Sequence, residues 1–266
     1  MTERSFETDD GVRIVYDDVG PHDGATVVLC HGLAAAAEQF ASDAAFFSRA
    51  GFRVLVPDLR GHGRSATPRP LVPAALSIER IAADLTQMLD DAGVDTVHWV
   101  GNSLGGIAAL AMLRQERFRT LATFGTTYAI GLPQVGGHHL VTASRAVLGQ
   151  RLLATLTANS TSPNPAARAV LRNVLSETRY DVTAMLAGVL TRYDLIAEAA
   201  RATLPILMLR GSRDAAVNSG LGGTLAAMQG RPNFTLVELR GGGHCANLDV
   251  PVAFRAELLR FWETRA

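Results

Sequence analysis

The stretch Val97-His98-Trp99-Val100-Gly101-Asn102-Ser103-Leu104-Gly105-Gly106-Ile107 decides the fold. An apolar run ends in a Gly-x-Ser-x-Gly turn, and a helical pattern over residues 103–115 begins at once. A serine at the apex of a sharp strand-to-helix turn sits in strained backbone, and glycines two residues either side keep strand and helix from colliding with it. Such a turn exposes the hydroxyl and aims a helix N-terminus at it. The pattern alone is common, so its meaning depends on what surrounds it.

Outward from the turn, residues 27–30, 52–56, 94–100 and 205–209 are short apolar runs without alternation, as in strands buried on both faces of a sheet. Helical spacing falls between them at 38–50, 77–92 and 103–115, with Ile81, Leu85 and Leu89 at i, i+4 and i+8. Strands alternating with helices of this length predict an α/β fold, a mostly parallel doubly wound sheet. Asp10-Gly11, between a polar stretch and the alternating Val12, Ile14 and Tyr16, predicts an antiparallel hairpin. From about residue 126 to 200 the spacing is helical, with a start legible at Asn164-Pro165 and another near Asp181. The strand and helix pattern then resumes through 234–239 and 251–264. One core domain, 1–125 and 201–266, is therefore expected, interrupted by a helical cap at 126–200.

The chain of 266 residues carries 25 basic and 25 acidic groups and 48% hydrophobic residues, so no global field draws it to nucleic acid or to a membrane surface. Every basic residue is arginine. The absence of lysine removes Schiff-base chemistry, a pyridoxal phosphate anchor and the P-loop lysine. Two cysteines, Cys30 and Cys245, are too few for a disulfide scaffold or a structural zinc site, and a reducing cytoplasm is the expected compartment. The first seven residues lack an apolar run, so no signal peptide is expected, and no stretch reaches the eighteen or so apolar residues of a membrane span. His138-His139 is not expected to bind metal, because neighbours on a helix point different ways. Gly61-x-Gly63-x-x-Ala66 has the form of a dinucleotide loop, but Pro68, Pro70 and Pro73 forbid the helix that must follow. No metal and no cofactor are expected.

Three further features accompany the turn. Cys30-His31-Gly32-Leu33 ends a strand where a glycine lets a backbone N–H face the serine. Asp214 stands in the loop after a late strand, within Leu209-Arg210-Gly211-Ser212-Arg213-Asp214. His244 closes Gly241-Gly242-Gly243-His244, a glycine-rich loop between the last strand and the last helix. With the order Ser, Asp, His, and with Pro57-Asp58-Leu59-Arg60-Gly61-His62-Gly63-Arg64-Ser65, the sequence resembles the α/β-hydrolase superfamily over nearly its whole length. His244-Cys245-Ala246-Asn247-Leu248-Asp249 and the short cap look most like the 3-oxoadipate enol-lactonase and carboxylesterase branch. Those lactonases often carry serine where this chain has His31. Asn102 also occurs in hydrolases of meta-cleavage products, which usually differ from this chain after the His-Gly and after the catalytic histidine.

The resemblance implies Ser103 as nucleophile, His244 as its base and Asp214 as the acid that fixes the imidazole tautomer. It also implies an oxyanion hole from the backbone N–H groups of Leu104 and Leu33. His31, Asn102 and Cys245, beside these residues, and the cap residues Tyr128, Leu132, Met185, Leu186, Leu190, Arg192 and Tyr193 are the expected pocket. Histidines such as His31 and His62 more often bond loop backbones, Arg192 can pair with Asp194 or Glu198, and Asp249 is expected to cap the last helix. The implied activity is hydrolysis of small to medium, largely apolar carboxylic esters or lactones, with C–C bond hydrolysis, acyl transfer and pure ligand reception as alternatives. The expected partner is a small-molecule ester or lactone, and a homodimer is one assembly the sequence allows.

Overall fold

The computed structural model describes residues 2–130 and 137–263, with side chains from 142 onward in the second segment. Among them, eight strands form one sheet: β1 Thr2–Glu7, β2 Arg13–Val19, β3 Thr26–Cys30, β4 Arg53–Asp58, β5 Val97–Asn102, β6 Phe118–Phe124, β7 Ile206–Gly211 and β8 Phe234–Leu239. Their order is β1-β2-β4-β3-β5-β6-β7-β8. The Asp10-Gly11 hairpin pairs β1 with β2, β2 pairs antiparallel with β4, and every pairing from β4 to β8 is parallel. The sheet is mostly parallel and doubly wound, as its sequence predicts.

The helices are α1 Ala41–Arg49, α2 Ile78–Asp91, α3 Leu104–Met112, α4 Gly137–Leu148, α5 Gln150–Thr161, α6 Pro165–Glu177, α7 Tyr180–Val189, α8 Ile196–Arg201, α9 Ala215–Gly220, α10 Gly222–Met228, α11 Ala246–Asp249 and α12 Pro251–Glu263. None of the described helices is long and apolar enough to cross a membrane. Two apolar layers explain the unalternating strands. Val28 and Trp99 pack with Leu85, Leu89 and Leu110 on one face, while Val27, Leu29 and Val100 pack with Phe47, Phe254 and Trp262 on the other. Each fully buried aliphatic side chain of this kind contributes roughly 1.5–3 kcal/mol. Helix α2 starts where Ser77 Oγ accepts the Arg80 N–H at 3.1 Å, and α6 where Asn164 Oδ1 accepts the Ala166 N–H at 2.9 Å ahead of Pro165.

Strand β6 carries no long apolar run, because Thr120 and Thr123 stand in it fully buried. Each has a partner: Thr120 Oγ1 meets His98 Nδ1 at 2.9 Å and Thr123 Oγ1 meets the Tyr128 hydroxyl at 3.1 Å. Helices α4 to α8 lie in the connection from β6 to β7. Helix α7 begins one residue before Asp181, and the side chain of Arg179 at its N-cap bonds Ser65 O and Thr67 instead of capping the helix. The chain runs from β3 to β4 on one side and then to β5 on the other side of β3, so the loops after β3 and β5 flank the crevice where open α/β sheets bind ligands.

Candidate active site

Ser103 is forced into its turn from both sides. It has φ 48° and ψ −113°, its N–H donates to Phe124 O at 3.0 Å, and its carbonyl accepts the N–H groups of Gly106 and Ile107 at 2.9 Å. Helix α3 lies so close to β3 that a Cβ on Gly105 would sit 2.3 Å from the Cys30 carbonyl oxygen. Leu104 is the first residue of α3, so its N–H is one of the helix donors without an intrahelical partner.

On the loops after β7 and β8, His244 Nδ1 and Asp214 Oδ2 are 2.9 Å apart. Asp214 also caps α9, with Oδ1 accepting the Val217 N–H at 3.4 Å. A proton on Nδ1 shared with this carboxylate leaves Nε2 as the free acceptor. The His244 backbone is held too: its N–H donates to Thr161 O at 3.1 Å and its carbonyl accepts Asn102 Nδ2 at 3.1 Å.

Asp249 does not cap the last helix as expected. It ends α11, where Oδ2 accepts the Gly243 N–H at 2.7 Å and Oδ1 accepts the Ser162 hydroxyl, and burial raises its pKa. Its role is to pin the glycine loop to the segment between α5 and α6. Sequence reasoning missed a second layer behind Asn102. Gln39 Nε2 donates to Asn102 Oδ1 at 3.0 Å and to Asn247 Oδ1 at 3.2 Å, and Asn247 Nδ2 reaches Asp43 at 2.9 Å.

A cavity of ≈ 440 Å³ holds Ser103, His244, Leu33, Asn102 and Cys245 in its wall. The remainder is apolar or hydroxylic: Gly32, Ala34 and Ala35 come from the loop after β3, and the segment after β6 adds Leu153, Leu171, Val174, Leu175, Thr178 and Tyr180 among others. No arginine, aspartate or glutamate is among its described lining residues. Burial raises the pKa of the Cys245 thiol, so it stays protonated and acts as wall.

Other expected pocket residues lie elsewhere. Tyr128, which follows β6, and Leu186 of α7 are fully buried in the core, against which Met185 and Leu190 also pack, so this face of α7 is turned toward the core. The Tyr193 hydroxyl bonds Thr127, and Arg192 is exposed to solvent. Its suggested partners are engaged elsewhere, Asp194 with the Ile196 N–H and Glu198 with Arg114. Leu132 lies outside the described residues, as do the side chains of His138 and His139. Among the described residues no group of three or more His, Cys, Asp or Glu is placed to hold a metal.

His31 is not in the cavity wall either; it braces the loop beneath. Its Nδ1 donates to Gly32 O at 2.7 Å while Nε2 accepts the Leu59 N–H at 3.0 Å. His62 Nδ1 bonds Arg60 O at 3.0 Å and its Nε2 accepts the Ala34 N–H at 3.3 Å. Burial lowers the pKa of His31, and lowers that of His62 to about 3 and of His98 to about 4. These rings are neutral when folded, whereas unfolded histidine takes a proton below about pH 6.5. Stability is therefore intact above that pH and falls as pH drops through the window from about 6.5 to the folded values. Between pH 7 and 5, His62 and His98 are each expected to cost about 2 kcal/mol. Urea unfolding at the two pH values checks this; a difference that His98→Gln leaves unchanged would refute the assignment to His98.

A mostly parallel sheet, helices on both faces and a strained serine at the switch point define an α/β hydrolase. Residues 21–250 match the family described as serine aminopeptidase, S33, and the chain belongs to that hydrolase family. It is 36% identical over 123 residues to epoxide hydrolase A of Mycobacterium tuberculosis; the match covers 46% of this chain and 37% of that protein, so the chain spans little more than a third of that relative. Among solved structures it is similar to the enol-lactonase of Burkholderia xenovorans, with TM-score 0.85 and 24% identity over 98% of this chain and all of that one. It is likewise similar to an esterase of a Rhodococcus species, with TM-score 0.84 and 22% identity, each chain covered in full. At these identities the two structures speak for the fold.

Proposed function

We propose that the protein hydrolyses carboxylic esters or lactones of small to medium, uncharged and largely apolar acids, through an acyl-enzyme on Ser103. The carrying observation is that Ser103, at its strained apex, and His244, bonded to Asp214, open on one apolar cavity. In the proposed reaction His244 Nε2 takes the Ser103 proton as Oγ attacks the substrate carbonyl, and Asp214 stabilises the imidazolium. The backbone N–H groups of Leu33 and Leu104 hold the oxyanion, each worth roughly 3 kcal/mol. His244 then returns the proton to the departing alkoxide. Water, activated by the same base, releases the acid. Helices α5, α6 and α7, which line the cavity, serve as the cap that closes the pocket and excludes water.

The cavity lining supports neutral substrates. A carboxylate far from the reacting centre would be desolvated there without an arginine to receive it, at a cost of several kcal/mol.

A fluorophosphonate probe is expected to add once to the protein, on Ser103, by intact-mass and peptide analysis. Neutral p-nitrophenyl esters should be turned over at least about tenfold better in kcat/KM than their ω-carboxylate analogues, a conservative bound on that penalty. An unlabelled wild-type protein would remove the proposed chemistry. A strong preference for the carboxylate would return the enol-lactone reading.

A further inference from the structure

The turn that carries the Leu33 N–H is held in an unfavourable conformation by groups from three parts of the fold. Gly32 to Ala35 form a reverse turn closed by the Ala35 N–H and Gly32 O at 3.2 Å, with Ala34 at φ 60° in its third position. A positive φ there is the type II pattern, which favours glycine, and alanine adopts it at a steric cost. The turn abuts the serine: a Cβ on Gly32 would come within 3.2 Å of the Ser103 Cβ.

Each peptide of the turn has its own anchor. The Gly32 carbonyl accepts His31 Nδ1, so in the planar trans peptide the Leu33 N–H points the opposite way. The Ala34 N–H donates to His62 Nε2. The Ala34 carbonyl lies 2.9 Å from the Thr178 hydroxyl, nearer than that hydroxyl's other acceptor, Val174 O at 3.2 Å. His31 and His62 belong to the core, but Thr178 is the C-cap of α6, the helix that supplies Leu171, Val174 and Leu175 to the cavity wall.

We infer that Thr178 is a positioning residue that couples the cap to the oxyanion turn, so that the Leu33 N–H is correctly aimed only while α6 is seated. This rests on the acyl-transfer reading above. Alanine at a glycine-type position keeps its conformation only while the surroundings impose it. With the Thr178 bond lost, the Ala34 carbonyl is released, the turn relaxes toward ordinary φ values, and the Leu33 donor drifts from the place where negative charge develops. Substrate filling the cavity presses on the same helix, and the coupling thereby links pocket occupancy to donor alignment. The interaction gains strength only as the oxyanion forms, so its loss appears in kcat and leaves KM nearly as it was.

The test compares wild type with Thr178→Val, Thr178→Ala and Thr178→Ser on a neutral p-nitrophenyl ester. It also measures affinity for an aryl trifluoromethyl ketone, to whose carbonyl Ser103 Oγ adds while His244 takes the proton, leaving a bound oxyanion. The valine and alanine variants are expected to lose about 10- to 100-fold in kcat with KM within about threefold, and to lose ketone affinity in parallel. Serine, which keeps the hydroxyl, restores both. A kcat that survives in valine and alanine, a loss expressed in KM alone, or a loss that serine shares overturns the coupling. A wild-type protein that forms no ketone adduct overturns the acyl-transfer reading and the coupling with it. An adduct of unchanged affinity in Thr178→Val removes only the coupling.

Discussion

Replacing Ser103 by alanine is expected to lower kcat on the neutral ester by roughly 10⁵- to 10⁶-fold while the protein remains folded. In the proposed reaction the nucleophile, its base and the acid act as one unit, and loss of the attacking oxygen leaves only what donors and cavity contribute to a water reaction. Folding is insensitive because the bonds imposing the turn run through the backbone, from Ser103 N–H to Phe124 O and from its carbonyl to Gly106 and Ile107. Alanine retains the Cβ and therefore the strain of φ 48°. Glycine at the same position removes that strain, so Ser103→Gly should be as inactive as Ser103→Ala but more stable by about 1 kcal/mol. Burst kinetics and urea unfolding of the two variants separate these effects. Activity surviving in either variant would show that Ser103 is not the nucleophile.

Legibility in the sequence followed a physical division. Strands β3 and β5 are buried on both faces and read as apolar runs. Helix α2 presents a single face, so its i, i+4, i+8 pattern is explicit. Strand β6 evades such reading because its buried threonines are satisfied by His98 and Tyr128, partners unknown before the sheet is assembled. The candidate site divides in the same way. The turn at Ser103 and the glycine loop before His244 carry local backbone demands, and these are written into neighbouring residues. The cavity wall carries none. Helices α6 and α7 both show apolar spacing, and only their docking decides that Leu171 and Val174 face the cavity while Leu186 enters the core. The polar layer behind the site is equally hidden, since Gln39 and Asn247 are 208 residues apart in the chain and meet only across the completed fold.

Asp214→Asn is expected to reduce kcat by about 10⁴-fold, whereas Asp249→Asn should act chiefly on stability. Both carboxylates lie close to His244 in sequence or space, and their bonds distinguish them. Asp214 Oδ2 meets His244 Nδ1 at 2.9 Å, so an amide there favours the tautomer with its proton on Nε2, the nitrogen that accepts the serine proton in the proposed reaction. Neither the α9 cap nor the fold depends on the charge, because the asparagine Oδ1 still accepts the Val217 N–H. Asp249 has no bond to the imidazole. It receives the Gly243 N–H and the Ser162 hydroxyl, and its raised pKa means that burial already works against its charged form. An asparagine there can accept the Gly243 N–H through Oδ1 and donate Nδ2 to Ser162 Oγ only if the hydroxyl proton turns to Asn164 O at 3.3 Å, and this weaker arrangement is expected to cost about 1–3 kcal/mol with kcat within roughly tenfold of wild type. Comparison of kcat and urea midpoints for the two variants decides the assignment. If Asp249→Asn proves the more damaging to kcat, the acid that orients His244 is not Asp214, and the geometry of the loop after β8 must change in the working enzyme.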